Sequence, residues 1–396
     1  MDILDVIGRS KELITDDITA NERKLSDCVK SSNFLVLGGA GTIGQSVVKE
    51  IFKRSPKKLH VVDISENNLV ELVRDIRSTH GYISGDFQTF ALDIGSVEYD
   101  AFIDSDGCYD YVLNLSALKH VRSESDPFTL MRMVEVNIFN TEKTIKQSID
   151  NGVKKYFCVS TDKAANPVNM MGCSKRIMEL FLLKWSKKIN ISTARFANVA
   201  FSDGSLLHGF KQRIEKKQPI AAPADIKRYF VSKKEAGEIC LMSTIFGDNG
   251  EVYFPKLDEH NHLVNLSVVA KKFLSQLGYT PLECFSEEEA RLEMDRFDIN
   301  KKLWPCIFTQ SDTTGEKGYE EFYTSSETID FDKHISLGVI KLNYSYDNEI
   351  LQKFTDEIIR LKKEKCWSKA DLVFLFSQCV PSFAHKETFK YLDSKM

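Results

Sequence analysis

The chain has 396 residues, 42% of them hydrophobic and 28% charged, with a formal net charge of -4. That length supplies one large domain or two ordinary ones, and the slightly acidic balance argues against nucleic acid or an anionic membrane as the main partner. Nine scattered cysteines, never spaced CxxC, and eight unclustered histidines argue against a disulfide framework and a zinc site. No apolar run approaches the ~18 residues of a spanning helix, so the expectation is a reduced, cytoplasmic protein.

Residues 1–32 carry apolar side chains at helical spacing (Ile3, Leu4, Ile7, then Leu13, Ile14, Ile18), which predicts a helical arm. Residues 34–37 form an apolar strand, followed at once by Gly38, Gly41 and Gly44 and a helical pattern over 43–52. Strand, glycine-rich turn and helix make the context of a dinucleotide fingerprint, with Thr42 and Ile43 inside the turn. Glycines let the backbone approach a pyrophosphate, whose charge meets amides at the helix N-terminus. The next strand, 59–63, ends in Asp63, placed to bond ribose hydroxyls and repel a 2′-phosphate, which favours NAD over NADP.

The rhythm continues with a strand over 87–93, bringing Asp93 and Ile94 to where adenine would lie. A strand over 111–116 sets Leu115, Ser116 and Ala117 beside the cofactor, with Lys119 and His120 just beyond. A long helix over 128–149 contains Asn137. The strand over 155–159 then runs into Ser160, Thr161, Asp162 and Lys163, and Pro167 forces a loop. A helix over 169–185 carries Met171 and Lys175 one turn apart, and a strand spans 191–196. Such alternation means an α/β fold with a doubly wound parallel sheet, a Rossmann domain over 33–200. Ligands of that architecture sit outside the carboxyl ends of the strands. There Thr161, Asp162 and Lys163 bring hydroxyl, carboxyl and ammonium groups together; the plain alternative is a solvated loop with an incidental ion pair. After Asn198 a smaller lobe over 201–335 is expected, with helices over 206–217, 233–245 and 266–277 and some elements returning to the sheet. Arg228 and the segment with Glu316 and Lys317 are its distinctive pieces. A helical extension over 336–396 closes the chain.

Four motifs together, Gly38-x-x-Gly41-x-x-Gly44, Ser160-Thr-Asp-Lys163, Arg195-Phe-x-Asn198 and Gly315-Glu-Lys-x-x-Glu-Glu321, resemble the extended short-chain dehydrogenase/reductases. Within these the chain looks like the UDP-N-acetylglucosamine 4,6-dehydratases of bacterial surface-sugar pathways, over about 33–330. The outer segments resemble the dehydratases of legionaminic-acid pathways. Family members carry Tyr four residues before the active-site Lys; here that position is Met171, as in the subset that retains configuration at C5.

The resemblance implies an internal redox relay with NAD as the tightly held cofactor, a nucleotide sugar as substrate and at least a dimer, the helices over 128–149 and 169–185 pairing between subunits. It implies Lys163 as the base at C5, Asp162 as the acid at the C6 hydroxyl, and Thr161 on O4. Without the Tyr, the C4 hydroxyl proton must go to Thr161, Lys163 or a water. Lys175 would hold the nicotinamide ribose, Lys119 and His120 touch sugar or nicotinamide, and Asn137 and Asn198 belong to the substrate site. Arg228, Glu316 and Lys317 would grip diphosphate and ribose. Asp162 beside Lys163 poses a difficulty, since opposite charges push both proton affinities the wrong way unless the side chains aim apart. The alternatives are a GDP-sugar dehydratase, a nucleotide-sugar 4-epimerase and a non-catalytic NAD-binding protein.

Overall fold

The computed structural model describes residues 1–342, 346–385, 387, 388 and 390. Six parallel strands build its centre: β1 (Asn33–Leu37), β2 (Lys58–Asp63), β3 (Asp86–Ala91), β4 (Tyr111–Asn114), β5 (Lys155–Thr161) and β6 (Asn190–Phe196). Their order across the sheet is 3-2-1-4-5-6, so the winding reverses between β1 and β4. This is a Rossmann-like doubly wound sheet, and a crevice opens at that reversal.

Alternate residues of each strand feed opposite cores, as the pleat requires. Phe34, Val36, Val61 and Phe157 pack with helices α2 (Thr15–Lys30), α3 (Thr42–Phe52), α4 (Glu66–His80) and α10 (Lys233–Phe246). Leu35, Leu37, Val62 and Tyr156 pack instead with α5 (Val97–Asp106), α7 (Asn140–Asp150) and α8 (Met170–Trp185). With both faces covered, β1, β4 and β5 are largely apolar, which is why they read so clearly as runs.

The expected helix over 128–149 is interrupted. It consists of α6 (Pro127–Val134) and α7, joined by a π-helical turn at Glu135–Phe139. The second lobe, expected as helices and loops, contains a parallel sheet of its own. Strands β7 (Ile220–Pro223), β9 (Thr280–Cys284) and β10 (Leu303–Thr309) lie in the order 9-10-7, packed with α9 (Leu206–Glu215), α11 (Leu266–Gln276) and α12 (Glu287–Asp295). Three further strands return to the main sheet. β8 (Glu251–Pro255) pairs parallel with β6, β12 (Leu337–Lys341) runs antiparallel to β8, and β11 (Thr328–Asp330) is the edge. β12 thus places a strand inside the extension expected to be helical.

The N-terminal arm, α1 (Ile3–Val6) and α2, packs on both lobes, with Val6 and Ile7 in the core of the second and Leu25 and Val29 against the main sheet. Arg9 donates two hydrogen bonds to the Glu235 carboxylate at 2.7 and 2.6 Å, and Asp17 accepts from the amides of Ile335 and Ser336. At the other end α13 (Asn348–Glu364) and α14 (Lys369–Cys379) fold back over α6 and α8. Leu351, Phe354, Ile358 and Phe376 join Leu130, Met133, Ile177 and Phe181 in one buried cluster. The chain thus covers with its own C-terminal helices apolar side chains of α6 and α8, two of the helices through which subunit pairing was expected. Among the described residues no helix is long and apolar enough to cross a membrane.

Behind the carboxyl ends of β5 and β6 sits a buried ion network. Arg195 is fully buried and donates to both oxygens of Glu179 (2.9 and 2.7 Å), to both of Glu327 (2.8 and 2.9 Å) and to the carbonyl of Phe322. Ser160 also donates to Glu179 at 2.7 Å. Deleting one member of such a network strands the others as uncompensated buried charges. Arg195→Ala should therefore cost about 3–5 kcal/mol of stability, read as a lower denaturant midpoint, whereas Arg23→Ala on the exposed face of α2 should leave the midpoint unchanged.

Candidate active site

The glycine-rich turn is built for close approach. Gly38 sits at φ +70°, and a Cβ there would lie 2.7 Å from the Ser116 amide; a Cβ at Gly44 would lie 2.2 Å from the Gly38 carbonyl. The N-cap of α3 is Gly41, which makes no side-chain cap, so the first-turn amides that follow, from Thr42 and Ile43 on, lack intrahelical partners. Thr42 also donates to Asp203 at 3.0 Å, tying the start of α3 to the loop after Asn198. Asp63 accepts from the amides of Ala40 and Ser65, both at 2.9 Å, which holds its carboxylate at the crevice. Asp93 and Ile94 follow β3, with Asp93 bonded to Gly95 and Arg132; Leu115, Ser116 and Ala117 follow β4. A backbone cradle that admits no side chain, with open amides and a carboxylate opposite, fits a dinucleotide.

Next along the sheet edge, β5 ends in a 3-10 turn at Asp162–Ala164, capped by the Thr161 hydroxyl. Helix α8 presses directly on this turn: a Cβ at Gly172 would stand 2.5 Å from the Lys163 carbonyl. Thr161 Oγ1 donates to Asp162 Oδ1 at 2.8 Å, and the same oxygen accepts from the Lys163 amide at 2.8 Å and from Lys163 Nζ at 3.1 Å. The two side chains are thus paired and do not aim apart. Asp162 is buried, and its Oδ2 has no hydrogen-bond partner among the described residues. Three donors thus meet on Oδ1, while Oδ2 receives none among the described residues.

Lys175 lies beneath the strand end, fully enclosed, with Nζ donating to the Val159 carbonyl at 3.1 Å; burial lowers its proton affinity. Met171 packs into the apolar cluster with Met170, Cys173 and Ile138 and offers no proton-accepting group. Asn137 is committed to structure. Its amide bonds both backbone groups of Leu118 (2.9 and 3.0 Å) and Ser174 Oγ (3.0 Å), leaving little for a substrate. The π-helical turn aims it at Leu118, a function of helix position that sequence spacing does not reveal.

A cavity of about 480 Å³ opens in front of the turn. Lys163, Asn169, Asn198, Arg228, Glu316 and Glu320 line its polar part, and Leu207, Ala222, Phe230, Leu266 and Ile307 its apolar part. Lys119, His120 and Lys317 do not line it, although the His120 ring lies against Gly204 in its wall. Arg228, expected to meet a diphosphate, is turned inward: Nη1 donates to the carbonyls of Lys227, Lys317 and Gly318, and Nη2 to Glu316 at 3.1 Å. The Glu316 carboxylate is further held by Thr313 at 2.6 Å and by Ser311. This pair therefore shapes the loop that walls the cavity. Gly315, at φ +69°, lets that loop touch the start of α8, where Asn169 donates to its carbonyl at 2.9 Å.

Glu320 is the residue that sequence reasoning passed over. It is 3% exposed, lines the cavity, and brings Oε1 to 4.0 Å from Lys163 Nζ. It stood inside the motif at 315–321, but nothing in that string distinguishes it from Glu321, which is exposed and bonds Asn166.

A family model described as polysaccharide biosynthesis protein matches residues 34–340. A protein of Methanocaldococcus jannaschii described as an uncharacterized membrane protein is 30% identical over 355 residues, covering 86% of this chain and 96% of that protein. A UDP-N-acetylglucosamine 4,6-dehydratase (inverting) of Campylobacter jejuni is 28% identical over 352 residues, covering 83% of this chain and 96% of that one. Two longer polysaccharide-biosynthesis relatives extend beyond the match, the chain spanning 57% and 51% of their length. Among solved structures, Pen from Bacillus thuringiensis superposes with a TM-score of 0.65 at 23% identity, covering 80% of this chain and 89% of that one. That likeness is one of fold.

Gly44→Ala tests the cradle. Its Cβ would have to displace backbone, since the Gly38 carbonyl and Gly39 both stand within 2.7 Å. Calorimetric titration with NAD+ should show at least a tenfold weaker affinity, about 1.4 kcal/mol, while Gly209→Ala, with open space around its Cβ position, should bind as the wild type does.

Proposed function

The chain belongs to the polysaccharide biosynthesis protein family, and within it we propose that it is a nucleotide-sugar 4,6-dehydratase that converts UDP-N-acetylglucosamine to the 4-keto-6-deoxy sugar. The observation that carries this reading is the hydrogen-bonded set Thr161, Asp162 and Lys163 at the carboxyl end of β5, with Lys163 facing a cavity of about 480 Å³. That cavity combines an apolar part suited to a nucleotide base with a polar part suited to a hexose. Gly38, Gly41, Gly44 and Asp63 would hold the dinucleotide, and Lys175 would lend positive potential near its nicotinamide ribose. Bound there, NAD would take a hydride from C4 and return it to C6.

The work left to the chain is the movement of protons. Oxidation at C4 releases the hydroxyl proton, and the family's usual acceptor is missing at Met171. Thr161 and Asp162 supply a substitute: a hydroxyl near O4 can pass a proton to the carboxylate it already bonds at 2.8 Å. The 4-ketone acidifies the C5 proton, and Lys163, the one of the three residues that lines the cavity, is placed to take it. An epimerase needs the first of these transfers and has no use for a base at C5. The paired Asp162 and Lys163 therefore favour dehydration.

Incubating the protein with UDP-N-acetylglucosamine, and separately with the GDP sugar, in H2O and D2O checks the proposal by mass spectrometry. Loss of one water, with one deuterium gained in D2O, is expected for the UDP sugar. Unchanged mass with an altered sugar would mean epimerisation, and unchanged sugars would mean binding alone. Thr161→Val should slow C4 oxidation by about 100-fold or more, the usual worth of a positioned proton acceptor, seen as a slower rise of NADH absorbance in a single turnover.

A further inference from the structure

The proposed dehydration leaves one role without an owner. A hydroxide does not leave C6 unless it is protonated, and Asp162 is surrounded by donors. We infer that Glu320 is the acid that protonates the C6 hydroxyl, and that Lys163 carries the proton back to it from Asp162 after each turnover. The inference rests on the dehydratase reading and adds to it a catalytic residue from the second lobe.

Four observations carry it. Glu320 is buried to 97% yet lines the cavity, and among the described residues none hydrogen-bonds its carboxyl. A carboxyl so placed is left with a proton to offer to a ligand rather than to the protein. Burial raises its proton affinity, the charge of Asp162 adds to the rise, and Lys163 opposes it. Lys163 Nζ stands between two carboxyls, 3.1 Å from Asp162 Oδ1 and 4.0 Å from Glu320 Oε1. Finally, Asn169 and Arg228 bond the carbonyls of Gly315, Lys317 and Gly318 before Glu320, and Arg195 bonds that of Phe322 after it, so its position is set by backbone contacts on both sides.

The proton count closes. The proposed cycle begins with a proton on the Glu320 carboxyl, Lys163 as an amine and Asp162 as a carboxylate. The C4 hydroxyl proton passes through Thr161 to the Asp162 carboxylate. Lys163 takes the C5 proton, the electrons of the C5–H bond become the C5–C6 double bond, and the C6–O bond breaks. Its oxygen takes the Glu320 proton and leaves as water. As C6 is reduced by the hydride first removed from C4, Lys163, its N–H groups exchanged with solvent, gives a proton to C5. Asp162 then holds one proton too many and Glu320 one too few, and Lys163 relays it across.

The test replaces the leaving group. Fluoride departs from C6 without taking up a proton, so the 6-deoxy-6-fluoro analogue of UDP-N-acetylglucosamine needs no acid. Glu320→Gln should lose about 100- to 10,000-fold on the hydroxyl substrate, the range of general acid catalysis, yet release fluoride within about tenfold of the wild-type rate by 19F NMR. In the same variant, NADH absorbance should still rise when the hydroxyl substrate is added. Glu320→Asp, which keeps the acid and retracts it, should show the same selective loss to a smaller degree and serves if the amide variant misfolds. Equal losses on both substrates, or none on either, would overturn the assignment of Glu320 while dehydration stands. A selective loss in Asp162→Asn instead would return the acid role to Asp162. A wild type that releases neither water nor fluoride would remove the dehydratase reading and this inference with it.

Discussion

The close contact between α8 and the turn after β5 is the constraint on which the site depends. Gly172 allows the helix to rest on the Lys163 carbonyl, where any Cβ would come within 2.5 Å. That contact leaves the 3-10 turn no room to unwind, so Thr161, Asp162 and Lys163 project from a backbone that packing has already positioned. Side chains held this way lose little further freedom when a substrate arrives, which is how a scaffold contributes to orientation. From the helix start, Asn169 caps α8 through the Gly172 amide and also reaches Gly315, so one residue couples the catalytic turn to the wall of the cavity.

Charge is arranged in two layers around that turn. Behind it, the Arg195 network with Glu179 and Glu327 is saturated with hydrogen bonds and faces no solvent. In front, among the described residues, Asp162 keeps one oxygen without a partner, and Glu320 has Lys163 Nζ at 4.0 Å. Buried groups that lack partners cost stability. Glu320 stands at the cavity, where a sugar hydroxyl would complete it. The contrast separates a network that holds β5 and β6 in place from one that waits for a ligand.

Most of the central sheet was legible in the sequence because its strands are buried on both faces and separated by amphipathic helices. Residues 34–37 and 156–159 are unbroken apolar runs, 59–62 is interrupted only by His60, and α8 announces itself through its helical spacing after Pro167. The strands β8 and β12 were not legible. Each is five residues long, and β12 pairs with a strand more than eighty residues earlier, so no local pattern marks them. The three-stranded sheet of the second lobe escaped for a similar reason, since β7 is only Ile220–Pro223 and carries two alanines. Within the site, the spacing of Thr161, Asp162, Lys163 and Lys175 pointed to one strand end. It could not say which way the side chains turn: Asp162 and Lys163 pair, Arg228 bends to Glu316, and Asn137 joins the backbone of Leu118. Orientation is a product of tertiary packing, and adjacent residues such as Glu320 and Glu321 differ in it completely.

One labelling experiment tests the central claim that this site moves a hydride and protons within a single bound sugar. UDP-N-acetylglucosamine carrying deuterium at C4 is converted and the product is read by NMR. The account predicts that the label appears in the C6 methyl group and nowhere else. A label that stays at C4 of an epimerised sugar, or that escapes into free NADH, would contradict it.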